Sequence, residues 1–259
     1  MGFYQADFDH LVTFNSATSC DLLTQYESYV NKKIQEENDR VRSQTFAPSS
    51  LRCMRISWFR IRGVQPDPIA LPDRTLDFTA EIGTACHEII QRNMIEIFKD
   101  DWIDIQWYLD NVLKPEYKYT VEKSGYESKV EIEYPPIKFA VDGLIRINGE
   151  YYLLEIKTSE YSSFDKLTGP KPQHIDQVKC YCTLLGLNKA LMLYQDRQYG
   201  SMKCFEQTIT QLDKDDINNM FKHVLTYVES GLAPERLSSG DPWCNPNHCP
   251  YYAKCREWG

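Results

Sequence analysis

VDGLIRINGEYYLLEIK, residues 141–157, decides the reading of this chain. Two apolar runs flank Asn148-Gly149, and each run carries one carboxylate where an apolar residue is expected. Asn-Gly between strand-like runs specifies a two-residue hairpin, because both residues accept positive φ. With that loop Ile147 faces Glu150, and the register carried along the pair sets Asp142 directly opposite Glu155. Side chains alternate along a strand, so Tyr151, Leu153, Glu155 and Lys157 share a face with Ala140, Asp142, Leu144 and Arg146 of the partner strand. The opposite face carries Val141, Ile145, Ile147, Tyr152, Leu154 and Ile156 and reads as core. Cβ atoms of Asp142 and Glu155 then lie about 5 Å apart. Lys157 lies about 6–7 Å beyond Glu155.

Like charges directly opposite on a strand pair are destabilising, and convergence without a cation raises one carboxyl pKa. A divalent metal resolves the conflict. Mg²⁺ takes oxygen ligands, commonly one or two carboxylates together with waters and phosphate oxygens. Such an ion polarises a phosphoryl oxygen and makes hydroxide available near neutral pH, while an adjacent lysine orients water or stabilises charge on phosphate. The plain alternative is an exposed face on which Asp142 pairs with Arg146 or Lys157 and no metal binds.

Working outward, residues 19–42 have helical periodicity, with Leu22, Tyr26, Tyr29, Val30 and Ile34 on one side and charge on the other. Ser49 or Ser50 caps a second helix from about Leu51 to Arg62, and the proline-rich GVQPDPIALPDR is a loop. A third helix is predicted from Phe78 to Lys99, with a shorter one near Trp102 to Val112. From Tyr117 the texture turns to β: Tyr117–Glu122 and Lys129–Tyr134 precede the hairpin, and Lys189–Tyr194 and Lys203–Ile209 follow a helix over 173–186. Ile217–Val228 is helical. Helices before a meander, then strand–helix–strand, predict an α/β fold with an N-terminal helical part.

The 259 residues carry a net charge of −8, which argues against coating nucleic acid by bulk attraction. A local basic groove stays open: Arg52, Arg55, Arg60 and Arg62 cluster in one stretch, and Lys166, Lys171 and Lys179 in another, either as such a groove or as solvated faces. No basic start is followed by an apolar run, and no apolar stretch reaches transmembrane length, so an intracellular, cytoplasmic protein is expected. Nine cysteines, an odd number without a secretion signal, do not suggest a disulfide framework. Cys244, Cys249 and Cys255 crowd into the last sixteen residues, in CNPNHCPYYAKC.

Asp142 followed by Glu155-Ile156-Lys157 on the next strand resembles the core of the PD-(D/E)XK nucleases, and the surroundings resemble their RecB-like branch. GTACHEII places His87 within a helix upstream, as that branch places its metal-ligand histidine. QVKCY places Gln177 and Tyr181 four apart on one helical face downstream, matching the branch's QxxxY helix, with His174 one turn before. The resemblance implies a restriction-endonuclease-like mixed central sheet flanked by helices. It implies that His87, Asp142, Glu155 and the Ile156 carbonyl hold Mg²⁺ or Mn²⁺, that Lys157 assists water and phosphate, and that Gln177 and Tyr181 position the lysine or DNA. Glu131 and Glu133 are either a further acidic contribution or solvent-facing strand residues.

One subset of RecB-like nucleases, including AddB-type nucleases and RecB-like CRISPR-associated exonucleases, carries a [4Fe–4S] cluster on one cysteine before the core and three after it. By that resemblance Cys53, Cys244, Cys249 and Cys255 hold the cluster in a cysteine-rich C-terminal tail. Four residues separate Cys244 from Cys249 where the family pattern has two, which keeps Zn²⁺ or a His248 ligand open. Thiolates are soft ligands for either metal. Cys20, Cys86, Cys180, Cys182 and Cys204 read as packing thiols. The implied organisation is a helical extension over residues 1–48 and a nuclease domain over 49–259. The implied activity is a metal-dependent DNA exonuclease on single-stranded ends, 5′→3′, in phage or CRISPR-type DNA processing, replication, recombination or repair, with DNA and processing-complex proteins as partners. Two alternatives stand beside it: a non-catalytic nucleic-acid-binding scaffold, and a structure-specific endonuclease on the same fold.

Overall fold

A computed structural model describes residues 17–68, 74–238 and 240–258. Residues 1–16 of the expected N-terminal extension, residues 69–73 of the proline-rich loop and the Cys20 side chain lie outside the described residues. Two compact units are present. In the smaller, α1 (Ala17–Asp39) matches the amphipathic helix read from sequence, and Lys32–Glu36 forms an i,i+4 ion pair along it. The larger unit, residues 42–67 and 81–259 by chain division, holds the sheets and every candidate site residue.

The hairpin forms in the expected register: Ile147 faces Glu150, Arg146 faces Tyr151 and Gly143 faces Leu154. Asn148 and Gly149 both take positive φ, 52° and 82°, the geometry that gives a two-residue turn the right-handed twist of its strands. Strands β1 (Tyr119–Ser124), β2 (Glu127–Ile132) and β3 (Ile137–Val141) make an antiparallel sheet. Asp142 interrupts the chain between β3 and β4 (Gly143–Ile147). A second sheet then runs β4, β5 (Glu150–Ser159), β6 (Lys189–Asp196), β7 (Met202–Thr208), with β5 and β6 parallel and the other pairs antiparallel. A parallel neighbour needs a crossover. It is supplied by α5 (Tyr161–Asp165) and α6 (Pro172–Leu184). The class is mixed α/β, as the element order predicts.

Both faces of the hairpin are covered, so the carboxylate face is not the open surface that the plain alternative requires. Leu144 and Leu153 join the main core with Val178 and Tyr181 of α6. Leu154 and Ile156 pack with Ile90 of α3 (Arg74–Phe98) and Leu193. Residues 152–156 are buried without alternation, the pattern of a central strand with layers on each side.

Boundaries differ where caps decide them. Instead of one helix from Leu51, Pro48–Ser50 forms a short 3₁₀ turn and α2 (Met54–Ile61) begins after Cys53. The helix near Trp102 is only Ile105–Tyr108 (α4), continued by a π turn over Leu109–Leu113. The last long helix, α7 (Gln211–Ser230), starts earlier than periodicity suggests because Thr210 and Asp213 make a reciprocal capping box, and it ends at left-handed Gly231. In the cysteine-rich tail α8 (Tyr252–Glu257) forms. No described helix is long and apolar enough to cross a membrane.

Trp102 bridges Ile145 on the outer edge of β4, and the Ile103 amide donates to the Leu144 carbonyl at 2.8 Å. A Cβ on Gly143 would overlap the Trp102 ring. Gly143→Ala is therefore expected to cost about 1–3 kcal/mol of stability through overpacking, read as a lower urea midpoint.

Candidate metal centre and cysteine site

Asp142 sits at the break between β3 and β4 and is held from three directions. The Ile156 amide donates to its Oδ2 at 2.7 Å, His87 Nδ1 lies 3.3 Å from its Oδ1, and Gln91 Nε2 donates to its backbone carbonyl at 2.7 Å. His87 and Gln91 are four apart on α3, so one helical face delivers both. Gln91 is buried, and its Oε1 is without a hydrogen-bond partner among the described atoms.

Glu155 is 2% exposed and Asp142 6%. Burial, then the charge of Asp142, pushes the Glu155 carboxyl above its ordinary range, while Lys157 opposes the shift. Lys157 Nζ meets Glu155 Oε1 at 2.6 Å and donates to Gln177 Oε1 at 3.0 Å. Gln177 Nε2 in turn donates to the Tyr181 hydroxyl at 2.7 Å. Tyr181 is buried against Phe139, ring centroids 5.0 Å apart, and its hydroxyl meets the lysine only through Gln177. At His87 burial is the largest single influence and pushes the imidazole pKa down, but the hydrogen bond to Asp142 and the charges of Asp142 and Glu155 together leave it raised. His174 accepts from the Tyr194 hydroxyl, which itself accepts from the Lys171 amide; burial and nearby Lys157 and Lys171 push its pKa down to about 3. It is a neutral acceptor in the wall behind the lysine.

Glu127, which sequence reasoning passed over, completes the cluster. Donor atoms of His87, Glu127 and Asp142 all lie within 4.8 Å of one another. Ser128 pairs with Val141, so the next step along the same register brings Glu127 to Asp142. Finding it from sequence needed the β2–β3 register, and the loop between those strands carries no Asn-Gly signal to fix it. Glu131 and Glu133 do not join: they pair with Lys138 at 2.6 Å and Lys118 at 3.3 Å, away from the cluster. Ligands on an octahedral Mg²⁺ lie roughly 3–4 Å apart. Two carboxylates and an imidazole so spaced need only small side-chain rotations to fit such an ion.

The tail forms a second site. Cys244, Cys249 and Cys255 line a cavity of about 250 Å³ with Arg236, Leu237, Tyr252 and Arg256. Cys53 stands at the N-cap of α2, and burial first, then neighbouring Cys255 and Cys244, raises its thiol pKa. Cys249 responds likewise to burial and to the other three cysteines. The four are neighbours despite the longer first interval, whose extra residues are taken up in turns that return from Asn245 to Cys249. His248 is exposed, lies tilted against Trp243 with ring centroids 5.4 Å apart, and is not part of the cavity wall.

Three arginines of the basic stretch are engaged within the fold, and the fourth, Arg52, is exposed over the Trp243 ring. Arg55 is buried and donates to the Cys255 carbonyl at 3.3 Å, the Cys255 sulfur at 3.5 Å and the Trp258 carbonyl at 3.2 Å. Arg60 donates to the Thr45 carbonyl, and Arg62 lies over Trp58 and Trp258. Lys179 of the other basic stretch pairs with Asp213 at 2.7 Å. Cys180 and Cys182 are buried as packing thiols, whereas Cys204 is exposed and Cys86 half-buried.

No family model matches the chain, and no curated protein does. Among solved structures, SSO0001 is similar over 82% of this chain and 98% of its own, at 16% identity and a TM-score of 0.43. An alkaline exonuclease (LHK-Exo) from Laribacter hongkongensis is similar over 76% and 93% respectively, at 16% identity and a TM-score of 0.45. LHK-Exo in complex with dAMP is similar over 69% and 78%, at 17% identity and a TM-score of 0.42. These likenesses are distant, and the site is read from its own geometry.

Proposed function

We propose that the chain is a metal-dependent deoxyribonuclease with a RecB-like PD-(D/E)XK core, an exonuclease on single-stranded DNA ends. The observation that carries this reading is the clustering of His87, Glu127 and Asp142 at one strand break, with Glu155 close enough to feel the charge of Asp142 and paired with Lys157, which Gln177 holds. Burying two carboxylates beside each other is costly unless a cation compensates them. His87, Glu127, Asp142, Glu155 and the Ile156 carbonyl would hold Mg²⁺ or Mn²⁺. A bound divalent ion there supplies Lewis-acid polarisation of a phosphoryl oxygen and a lowered pKa for water. Lys157 then orients the attacking water and meets charge developing on phosphate, and the Gln177–Tyr181 pair keeps its ammonium in place. The 5′→3′ polarity and the single-strand preference come from the sequence resemblance, as does a role in intracellular DNA processing.

We assign Cys53, Cys244, Cys249 and Cys255 to a structural [4Fe–4S] cluster. What supports the assignment is the gathering of the four cysteines as electrostatic neighbours, three of them lining the tail cavity, with Zn²⁺ as the alternative occupant.

Purification without oxygen, followed by digestion of 5′- and 3′-labelled single-stranded DNA with Mg²⁺ or Mn²⁺, tests the activity. Short products released from the 5′ end are expected. No cleavage under either metal removes the nuclease reading, and DNA binding without cleavage puts the scaffold in its place. Gln91→Leu, which frees the Asp142 carbonyl from its amide donor, is expected to weaken Mn²⁺ binding about 10- to 100-fold in a calorimetric titration.

A further inference from the structure

A cavity of about 190 Å³ opens beside the candidate metal centre, with Asp142 in its wall. Ile95, Trp102, Ile103, Val141 and Leu144 make its apolar sides, and Tyr126 with Gly125 forms a lip at the β1–β2 turn. Glu127, a member of the metal trio, lies between Tyr126 and Ser128, both of which line the cavity. The cavity and the trio are thus joined through β2 and through Asp142. Its aromatic wall is fixed, because Trp102 is bridged to Ile145 and lies where a Cβ of Gly143 would otherwise be. Tyr126 is 42% exposed at the cavity mouth. Lys123 and Asp104 form an ion pair that lines the same cavity.

We propose that this cavity takes the nucleobase of the nucleotide whose phosphate reaches the metal centre. A dry cavity near 150 Å³ admits benzene, so this volume suits a planar heteroaromatic ring. A base between Trp102 and Tyr126 is recognised by its π-face, which every base has, and no particular sequence is selected. The sugar-phosphate is then directed toward Asp142 and Glu127, so base insertion sets which phosphate is presented. This subsite rests on the phosphodiesterase reading above, and its test separates the two.

Calorimetry with Mn²⁺ present compares deoxynucleoside monophosphates with deoxyribose 5′-phosphate, which lacks the base. The monophosphates are expected to bind roughly ten- to a hundredfold tighter, the gain typical of one stacked base. Ile95→Trp, which fills the cavity from α3, and Tyr126→Ala, which removes the lip, are expected to erase most of that difference while leaving deoxyribose 5′-phosphate binding unchanged. Equal binding of both ligands by the unaltered protein overturns the subsite, whether or not DNA is cut. Tighter binding of indole than of any monophosphate also overturns it, in favour of a protein side chain as the guest. Base-dependent binding that the two variants abolish, in a protein that cuts no DNA, upholds the pocket and removes only the nuclease reading.

Discussion

Asp142→Asn is expected to lower DNA cleavage roughly a thousandfold while making the metal-free protein more stable. A metal's Lewis-acid role is worth several kcal/mol, and each 1.4 kcal/mol is a decade in rate. The substitution keeps the shape and leaves an acceptor for the Ile156 amide, so the backbone at the strand break is preserved. What disappears is the charge that presses against Glu155. In the metal-free chain that charge is a liability, because Glu155 is buried and burial with the Asp142 charge outweighs the relief from Lys157 and His87. The His87 contact works the other way. A raised imidazole pKa gives stability that is present below the ordinary histidine pKa and lost as pH rises through the folded value. Denaturation in alkaline buffer therefore isolates the carboxylate repulsion. Adding Mn²⁺ at a hundred times its dissociation constant is expected to stabilise the unaltered protein by about 2.7 kcal/mol, and to do far less for the variant. A variant that is both inactive and less stable without metal would mean that Asp142 is a structural acceptor first.

Such a trade of stability for chemistry is visible in the sequence only in part. Asn148-Gly149 fixes the hairpin by local turn chemistry, and alternation fixes which residues share its face, so the Asp142–Glu155 convergence was legible. Gln177 was legible through the resemblance of its helix to the QxxxY pattern of RecB-like nucleases. Glu127 and Gln91 were not. Glu127 reaches the cluster through the pairing of β2 with β3, which no strong turn residue specifies. Gln91 looks like one polar residue on an amphipathic helix until its partner is known to be the carbonyl of Asp142. The basic stretch, which sequence left open between a groove and a solvated face, was undecidable for a related reason. Arg55, Arg60 and Arg62 face carbonyls, a sulfur and indole rings contributed from elsewhere in the chain, and hydrophilicity alone does not separate such a brace from a DNA-facing surface. Long-range pairing is what local pattern leaves out.

Cys53→Ala is expected to lower the melting temperature of the loaded protein by roughly 10–20 °C. Cys53 heads α2 within the first quarter of the chain, and the cysteines that neighbour it lie in the tail. A cofactor bound by the folded chain and not by the unfolded one contributes its binding energy to stability. Joining segments that far apart in sequence opposes a closure cost of about 5 kcal/mol. At this chain length each kcal/mol moves the midpoint by roughly 2–4 °C. Arg55, the second residue of the same helix, grips the Cys255 carbonyl and sulfur, so loosening the tail also strips partners from a buried guanidinium. Cys86→Ala on α3 removes only a half-buried thiol and is expected to shift the midpoint by a few degrees at most. Visible absorbance separates the occupants: broad absorption that Cys53→Ala, Cys249→Ala and Cys255→Ala each abolish supports iron–sulfur, whereas a colourless protein with stoichiometric zinc replaces it. Equal melting of the Cys53 and Cys86 variants would dismiss the cross-link, because a ligand that ties α2 to the tail cannot be removed at no more cost than a packing thiol.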